Sequence, residues 1–377
     1  MANSQSDDKR LIAGAMSGTS ADGVDIAITE IVGAGLAMQC RLVHHHPHPY
    51  PPALRAEIFA FRGGEASANL ARLAQLGRDI SLAYGAAVNE ALRAAGLSAG
   101  DIRAIAAHGQ TLYHAPPNTI QLFDPSLVAA EVGCAVISDF RRADLAAGGQ
   151  GAPLVPFADY ILFRHSTKNR VLLNLGGIAN LTHIPAQATL EQVTAFDTGP
   201  ASCISDYLCR KYDPNGPGYD QNGKAAARGK VIEAVVDRML AFGYFQKPAP
   251  KSTDGPAMIQ MFDSAVASTA KQHTPDDLRA TACTITARSV ARAMPKCDEI
   301  FVAGGGVYNH HLMSCIAEEG VQLRPQDKAG LPLDPLTKEA VAFALLGAAT
   351  LDGFPSNIPS VTGAKRAVVL GSITPKP

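Results

Sequence analysis

The chain carries almost no net charge. Lysine and arginine total 33 against 34 aspartate and glutamate residues, which gives −1 over 377 residues. Proteins that hold nucleic acid on a broad surface need a clear positive excess. We therefore expect no nucleic-acid partner, and any anionic ligand must be held by local donors.

The patterns of membrane and disulfide-bonded proteins are also missing. The first ten residues, MANSQSDDKR, contain no apolar segment of the kind found in a secretory signal. The apolar stretch at 340–351 is well short of the roughly 20 residues that span a bilayer. Seven cysteines include no C-x-x-C pair, which argues against a cysteine-based zinc site or a disulfide framework. We expect a cytoplasmic protein with no membrane partner.

The clearest pattern is LIAGAMSGTSADGVDIAITEI at 11–31. An apolar run, seven small or polar residues and then a period-two alternation predict two strands joined by a loop. Backbone N–H groups and the hydroxyls of Ser17, Thr19 and Ser20, exposed at the tip, would suit phosphate oxygens. The loop is not a Walker loop, because it has no Gly-Lys-Ser/Thr and a strand follows it. An ordinary hairpin is the alternative.

The same design returns at 171–184, VLLNLGGIANLTHI, with Gly-Gly at the turn. A chain of 377 residues, 47% hydrophobic, is too long for one typical core. We predict an α/β protein with a first domain at 1–150, a second at 151–360, and a terminal segment at 360–377 that packs back on the first.

Polar residues follow two short predicted strands, at 103–107 and 135–138. The first strand leads into HGQT, which contains His108 and Gln110. The second leads into Arg141 and Arg142 and a glycine-rich segment. Loops on a rigid sheet commonly carry function, and adjacent arginines suit carboxylate or phosphate recognition. A core or surface histidine and a solvated basic turn are the alternatives.

Asp197 follows a predicted strand at 193–196 and precedes a predicted helix at 201–211. Open α/β sheets place ligands at the carboxyl ends of their strands, so Asp197 could act there as a base. It could equally be a residue that caps the following helix.

Two further segments have a strand or helix beside possible ligand groups. A predicted strand at 299–303 ends in three glycines, followed by Asn309 and a helix at 310–319, a geometry that accepts phosphate or ribose. Glu339 lies in the first turn of a helix predicted at 338–350, where the helix dipole also favours it for structural reasons alone. Further helices are predicted at 66–95, 231–242 and 281–294.

The segment HHHPHP at 44–49 contains four histidines. Histidines so close together could bind a metal ion. The prolines at 47 and 49 instead favour a surface turn, which is the interpretation we adopt from the sequence.

These segments, in this order, resemble the motifs of the anhydro-N-acetylmuramic acid kinases, members of the acetate and sugar kinase, Hsp70 and actin superfamily. The resembling segments are SGTSADGVD (17–25), AAHGQT (106–111), DFRRAD with AGGQGAPLVP (139–156), NLGGIANLT (174–182), FDTGPAS (196–202), YDQNG (219–223), KST (251–253), AGGGVYN (303–309), KEAVAF with Glu339, and VTGA (361–364). The resemblance implies two actin-like (RNase H-like) domains with an active-site cleft between them.

Enzymes of this family open the 1,6-anhydro ring of anhydro-N-acetylmuramic acid with water and phosphorylate O6 with ATP, giving N-acetylmuramate 6-phosphate in peptidoglycan recycling. The resemblance implies that Asp197 is the catalytic base. It implies a substrate-binding set of Asp22, His108, Gln110, Arg141, Arg142 and Glu339. It implies an ATP-binding set of Gly18, Thr19, Ser20, Ala21, Asp22, Gly23, Val24, Asp25, Gly176, Gly177, Gly304, Gly305, Gly306 and Asn309.

Mg²⁺ and backbone amides would neutralise the triphosphate, because the first loop has no lysine. The metal ligands are not identified by the sequence. A homodimer is what the family suggests.

Two positions depart from the family pattern. Ser202 stands where Asn is usual, close in sequence to Asp197, and Asp254-Gly255-Pro256 follows KST where Gly-Arg-Glu or similar is usual. The first bears on substrate contacts and the second on a loop of the second domain. A related sugar kinase with another acceptor, and a non-enzymatic actin- or Hsp70-like nucleotide switch, are the alternatives.

Overall fold

The computed structural model describes residues 9–63, 69–269, 271–325 and 337–377. The strands are β1 (Arg10–Met16), β2 (Gly23–Val32), β3 (Gln39–Pro49), β4 (Ala104–Ala107), β5 (Gln110–Ala115), β6 (Asn118–Leu122), β7 (Val136–Ser138), β8 (Arg170–Leu175), β9 (Ile178–Ile184), β10 (Thr194–Pro200), β11 (Glu299–Ala303), β12 (Leu323–Pro325) and β13 (Ser372–Thr374).

The helices lie between these strands, singly or in groups. They are α1 (Pro52–Arg62), α2 (Leu70–Ala94), α3 (Pro125–Val132), α4 (Arg142–Ala146), α5 (Val155–Phe163), α6 (Ser202–Tyr212), α7 (Glu233–Leu240), α8 (Gly243–Gln246), α9 (Gly255–Ala267), α10 (Pro275–Ala293), α11 (His310–Glu318), α12 (Lys338–Leu351) and α13 (Pro359–Thr362). In the described ranges, none of these helices combines the length and apolarity needed to cross a membrane.

The chain forms two compact units, one of Met1–Leu162 with Thr337–Pro377 and one of Phe163–Leu336. These divisions differ from the predicted boundaries at 150 and 360. Most of α5 stays with the first unit, and α12 returns to it because this helix packs on β1, β2 and β4.

The first unit is built on a six-stranded sheet of order β13-β7-β4-β1-β2-β3. β1, β2 and β3 are antiparallel neighbours, while β4 and β7 continue parallel to β1. The terminal strand β13 pairs antiparallel with β7.

The second unit repeats this arrangement with the order β10-β9-β8-β11-β12. β8 and β9 are antiparallel, β9 and β10 are antiparallel, and β11 and β12 run parallel to β8. Numbered within each sheet, the second sheet reads 3-2-1-4-5, and the first has the same order with β13 added as a sixth strand beside β7. This is the order of the RNase H-like fold on which actin-like domains are built. The predicted fold class of two such domains is confirmed.

Each sheet is covered by helices that bury its apolar residues. In the first unit, Ile26 and Ile28 of β2 join Ile80 and Tyr84 of α2 in one core. In the second unit, one core lies around β8 and β11, and another joins α6, α7, α9 and α10. The helix starts follow the sequence signals: Asn69, Asp124, Asp254, Thr274 and Asn309 each cap a helix with a side-chain oxygen.

The sequence located most elements correctly. Both hairpins form as predicted, and β11 has the predicted bounds. The helix predicted at 66–95 begins at Leu70 in the structure, and its predicted first residues lie partly outside the described ranges. The turn predicted at 44–49 is wrong, because these residues belong to β3, which pairs with β2 along its length. β3 is an edge strand, where proline is tolerated.

Gly14 in β1 explains how α12 can lie directly on the sheet. A Cβ atom at this position would overlap the carbonyl oxygen of Ala340 in the first turn of α12. Gly347, further along α12, is similarly close to Ala106 of β4. Glycine at these two places permits a close approach of helix and strands that bulkier residues would prevent.

Gly14→Ala is expected to destabilise the protein by roughly 1–3 kcal/mol, because the added methyl group must displace backbone in a packed core. Urea unfolding of the purified variant would measure this. Gly100→Ala is the control, since a Cβ there meets only Ser98 Oγ at 3.7 Å, and its change should stay within about 0.5 kcal/mol. Equal effects of the two substitutions would contradict the packing argument.

Candidate active site

The loop between β1 and β2 is anchored by Gln110 at the start of β5. Ser17 Oγ donates to Gln110 Oε1 at 2.8 Å, and Gln110 Nε2 donates to the carbonyl oxygen of Gly18 at 3.1 Å. The prediction that Ser17 is exposed is wrong, because its side chain is buried in this contact. Thr19 and Ser20 are exposed, as predicted.

The rest of this loop is a tight turn. Ala21 has a φ of +47° and donates its N–H to the carbonyl oxygen of Gly18 at 3.2 Å. Ser20 Oγ donates to the exposed carboxylate of Asp22 at 2.9 Å. A Cβ on Gly23 would overlap the carbonyl oxygen of His48. The loop therefore has a defined shape, with hydroxyl and carboxylate groups at its surface.

Two arginines of α1 hold this loop, and sequence reasoning missed them. Arg55 donates to the carbonyl oxygen of Ser20 at 3.3 Å, and Arg62 donates to that of Thr19. Their guanidinium groups lie 5.3 and 5.4 Å from the ring centre of Phe59. The signal was available, because residues seven apart on a helix share one face. The loop has no lysine, yet it has positive charge beside it.

His108 and Arg141 form a bonded pair in the first unit. Arg141 donates from Nε and Nη2 to His108 Nε2, at 3.2 and 2.9 Å, and from Nη1 to the carbonyl oxygen of Gly151 at 3.1 Å. His108 Nδ1 lies 2.9 Å from the carbonyl oxygen of Gly109. The imidazole therefore carries its proton on Nδ1 and accepts at Nε2.

Burial sets the charge state of this pair. Desolvation, with a smaller effect of Arg141, lowers the pKa of His108 to about 3. Desolvation also lowers the pKa of Arg141 to about 10, and Glu339 opposes that shift. At neutral pH, His108 is neutral and Arg141 is charged.

The two adjacent arginines have different environments. Arg141 is partly buried against His108, whereas the Arg142 side chain is 67% exposed and lies 3.5 Å from Asp139. The sequence did not distinguish them. The structure places Arg141 with His108 and leaves Arg142 at the surface.

Asp144 supports the loop that holds Arg141. Its buried carboxylate accepts from Gly151 N at 2.7 Å, and from Asn357 Nδ2 and Thr362 Oγ1, each at 2.7 Å. A Cβ on Gly149 would overlap this carboxylate. Asp144 thus joins the glycine-rich segment, through Gly151, to the VTGA segment, through Thr362. The sequence alone did not indicate this role.

Glu339 lies in the first turn of α12, as predicted. Burial raises its pKa, while Lys338 and Arg141 act in the opposite direction. Lys338 itself lies 3.2 Å from the buried carboxylate of Asp159. The first unit therefore brings Gln110, His108, Arg141 and Glu339 into one polar region on its sheet.

Asp197 lies in the second unit at an irregularity of β10. The pairing register with β9 shifts between Asp197 and Gly199. The strand also continues to Pro200, past its predicted end at residue 196. Asp197 Oδ2 accepts from Thr253 N at 2.9 Å, and Asp197 N donates to the carbonyl oxygen of Lys251 at 2.9 Å. The KST segment thus lies directly against this residue.

The environment of Asp197 favours a proton-accepting role. Burial raises the pKa of its carboxyl to about 6, and the Thr253 N–H opposes the shift. A general base works best when its pKa lies near the operating pH. The capping alternative is wrong, because the N-cap of α6 is Ala201 and it has no side-chain cap.

The Gly176-Gly177 turn carries the N-terminus of α6. The carbonyl oxygen of Gly176 accepts from Ser202 N, and that of Gly177 accepts from Ala201 N and Cys203 N, at 3.0 to 3.1 Å. A Cβ on Gly177 would meet nothing within 4 Å. The turn therefore holds the N-terminus of α6 through its carbonyl oxygens and leaves open space beside Gly177.

The Gly304–Gly306 segment shows the same combination. Gly304, with a φ of +88°, and Gly306 both approach the backbone of Leu175, whereas a Cβ on Gly305 would meet nothing within 4 Å. The Asn309 side chain accepts from Leu312 N at 2.9 Å and so caps α11. The strand, the three glycines and the helix N-terminus follow one another in the predicted order.

The two departures have local structural roles. Ser202 begins α6, and its Oγ donates to Asp206 Oδ2 at 2.7 Å. Asp254 caps α9 by accepting from Ala257 N at 2.8 Å, with Pro256 in the first turn. Asp-Gly-Pro is therefore a helix start.

Two RNase H-like sheets, each with a glycine-containing hairpin turn, define the fold of an actin-like protein with two such domains. The chain belongs to the anhydro-N-acetylmuramic acid kinase family, whose model matches residues 10–376. It is a kinase of sugar metabolism that transfers a phosphoryl group from ATP to an alcohol group of a small molecule.

Relatives cover nearly the whole chain. The anhydro-N-acetylmuramic acid kinase of Bacillus cereus (strain B4264) is 38% identical over 381 residues, covering 96% of this chain and 96% of that protein. The protein of the same name from Bacillus anthracis (strain CDC 684 / NRRL 3495) is 37% identical, covering 96% and 98%. Component A of the Acidaminococcus fermentans (R)-2-hydroxyglutaryl-CoA dehydratase is 13% identical with a TM-score of 0.43, over 90% of this chain and 99% of that one. That structural similarity is too distant to serve as evidence for the fold beyond the order of strands in the two sheets.

Proposed function

We propose that this kinase opens the 1,6-anhydro ring of anhydro-N-acetylmuramic acid with water and phosphorylates O6, giving N-acetylmuramate 6-phosphate and ADP for peptidoglycan recycling. Water attacks the anomeric carbon, and the bond from that carbon to O6 breaks. O6 then attacks the γ-phosphorus of ATP, whose bond to the bridging oxygen of the β-phosphate breaks to release ADP. One proton of the water passes to the base and is later released. One base thereby assists both bond changes.

The observation that carries this proposal is the environment of Asp197. A simple hydroxyl kinase and a ring-opening kinase both need a base that is ionised near neutral pH, and in the ring-opening reaction that base must accept a proton from water. A carboxyl with a pKa of about 6 meets that condition. Its bond with Thr253 N fixes one carboxylate oxygen and leaves the other for water.

Arg141 is the proposed partner of the lactyl carboxylate of the sugar. Three of its five N–H donors are used by His108 and Gly151, which hold the guanidinium plane in place. A fixed, partly buried fork suits a carboxylate better than a mobile surface arginine. Gln110, Glu339 and Asp22 would receive the remaining polar groups of the sugar. His108 would act by orienting Arg141.

The β1–β2 loop is the proposed site of the triphosphate in the first unit. Arg55 and Arg62 would add positive charge there, in place of the missing lysine. In the second unit, the open space at Gly177 and Gly305 would let the nucleotide approach the backbone. Mg²⁺ would neutralise charge on the phosphates, and the exposed carboxylate of Asp22 offers an oxygen ligand of the type it prefers.

ADP release assayed across a panel of anhydro and reducing sugars tests this function. The expected result is turnover with anhydro-N-acetylmuramic acid, with a product heavier by one water and one phosphoryl group. Faster turnover with another amino sugar would indicate a related kinase with a different acceptor. ATP turnover unaffected by every sugar would overturn the proposal in favour of a nucleotide switch.

A further inference from the structure

Three potential metal ligands meet on the first unit outside the groups assigned to the reaction. His46 and His48 lie on β3, and Glu90 lies on α2. His46 Nε2 is 3.2 Å from Glu90 Oε2, and His48 Nδ1 is 2.8 Å from the same oxygen. One atom from each of the three residues lies within 4.8 Å of the other two.

The arrangement follows from strand geometry. Residues two apart on a strand point to the same face, so His46 and His48 both face α2, while His45, directly before His46, points to the opposite face. His45 Nε2 is accordingly paired with Asp25 Oδ1 at 3.0 Å. The cluster therefore contains two of the four histidines at 44–49, His46 and His48, together with the carboxylate of Glu90, which is more than 40 residues away in sequence.

The distances suit a metal ion. Donor atoms at about 2.0–2.2 Å from a tetrahedral zinc ion lie roughly 3.3–3.6 Å from each other. The imidazole nitrogens of His46 and His48 lie 3.2 and 2.8 Å from the Glu90 oxygen, so small side-chain shifts would admit the ion. The side chains of His46, His48 and Glu90 are 26%, 20% and 40% exposed. An ion can therefore enter from solvent, and water can occupy a fourth position.

We propose that His46, His48 and Glu90 form a binding site for a divalent transition-metal ion of the zinc type. Two imidazole nitrogens and one carboxylate oxygen form a ligand set that zinc uses in proteins, with an open position for water. Imidazole selects such ions over Mg²⁺, which prefers oxygen. The bound ion would join the edge strand β3 to α2. The proposal is independent of the sugar that the enzyme uses.

Zinc binding to the full chain, prepared without an affinity tag and freed of metal with EDTA, tests the proposal. Competition between the protein and a chromophoric chelator for added ZnCl₂ should show one equivalent bound with a dissociation constant of about 1 μM or tighter. CoCl₂ should give the visible absorption of a four-coordinate cobalt site. ZnCl₂ should also raise the melting temperature.

Variants distinguish a built site from a histidine run that binds metal like a tag. Glu90→Gln and His48→Ala should each weaken zinc binding by roughly 10- to 100-fold or more. Losing a residue that only supports a metal ligand already costs about that much, and these two residues would be ligands themselves. His45→Ala removes an imidazole from the same run but from the other face, and it should bind zinc as the parent does. No stoichiometric binding, or equal weakening by His45→Ala and His48→Ala with none by Glu90→Gln, would overturn the proposal.

Discussion

Asp197→Asn is expected to lower kcat by roughly 10²- to 10⁴-fold, on the order of 3 to 5 kcal/mol of barrier, with little change in melting temperature. Asparagine keeps an oxygen that can accept from Thr253 N but cannot take a proton from water. Steady-state ADP release with anhydro-N-acetylmuramic acid and thermal unfolding would measure the two quantities. Unchanged turnover would remove Asp197 from the mechanism.

The matched control is Asp206→Asn. Asp206 also belongs to the second unit, burial also raises its pKa, and its carboxylate accepts from Ser202. Its replacement should change kcat far less, because nothing assigns it to the reaction. An equal loss in both variants would indicate a general effect of removing a buried charge.

The pH dependence gives a second measure of the same residue. The base acts as the carboxylate, so kcat/KM should fall about tenfold per pH unit below about pH 6 and be level above it. His108, with a pKa of about 3, adds no ionisation in this range. Because the folded-state pKa of Asp197 is raised to about 6, the protein loses stability as the pH rises from the ordinary pKa of an aspartate to about 6, and this loss persists at higher pH. Removing the charge should therefore not destabilise the protein at pH 7.

Arg141→Lys is expected to lower kcat/KM for the sugar by roughly 10²-fold, on the order of 3 kcal/mol. Lysine keeps the charge but cannot donate to His108 and Gly151 while facing a carboxylate. The loss should appear mainly as a raised KM for the sugar, with the KM for ATP little changed. Steady-state kinetics with each substrate varied in turn would show this.

Arg142→Lys is the control in the neighbouring position. Arg142 is mostly exposed and pairs with Asp139 at the surface, where such pairs contribute little. Its kcat/KM should stay within about twofold of the parent value. A larger effect of Arg142→Lys than of Arg141→Lys would contradict the assignment of the carboxylate to Arg141.

Local patterns were sufficient to predict much of the fold. The alternation in β2 and the apolar runs of β1 and β8 gave both hairpins, since burial on a sheet imposes a period of two or a continuous apolar run. The helix predicted after the three glycines and Asn309 is α11, which begins at the predicted residue. The pattern failed at 44–49, because two prolines suggested a turn although an edge strand accommodates them.

The candidate site was only partly visible in the sequence. Gln110 and Ser17 were both noted, but their direct contact, and with it the burial of Ser17, depends on β5 lying beside the first loop. Arg55 and Arg62 were missed because no motif contains them. Asp144 lies inside a motif, but its role was not visible in the sequence, since its side-chain partners Asn357 and Thr362 are more than 200 residues further along the chain.

The amino-acid sequence alone determined the two repeated hairpins, the α/β class and, through the order of its motifs, the kinase family, because these depend on residue types at short spacing. Tertiary structure decided that α12 returns to the first sheet over Gly14, that Arg141 rather than Arg142 meets His108, and that Glu90 joins two histidines of β3. Each of these is a contact between residues distant in sequence. Such contacts depend on how elements pack, which no local pattern records.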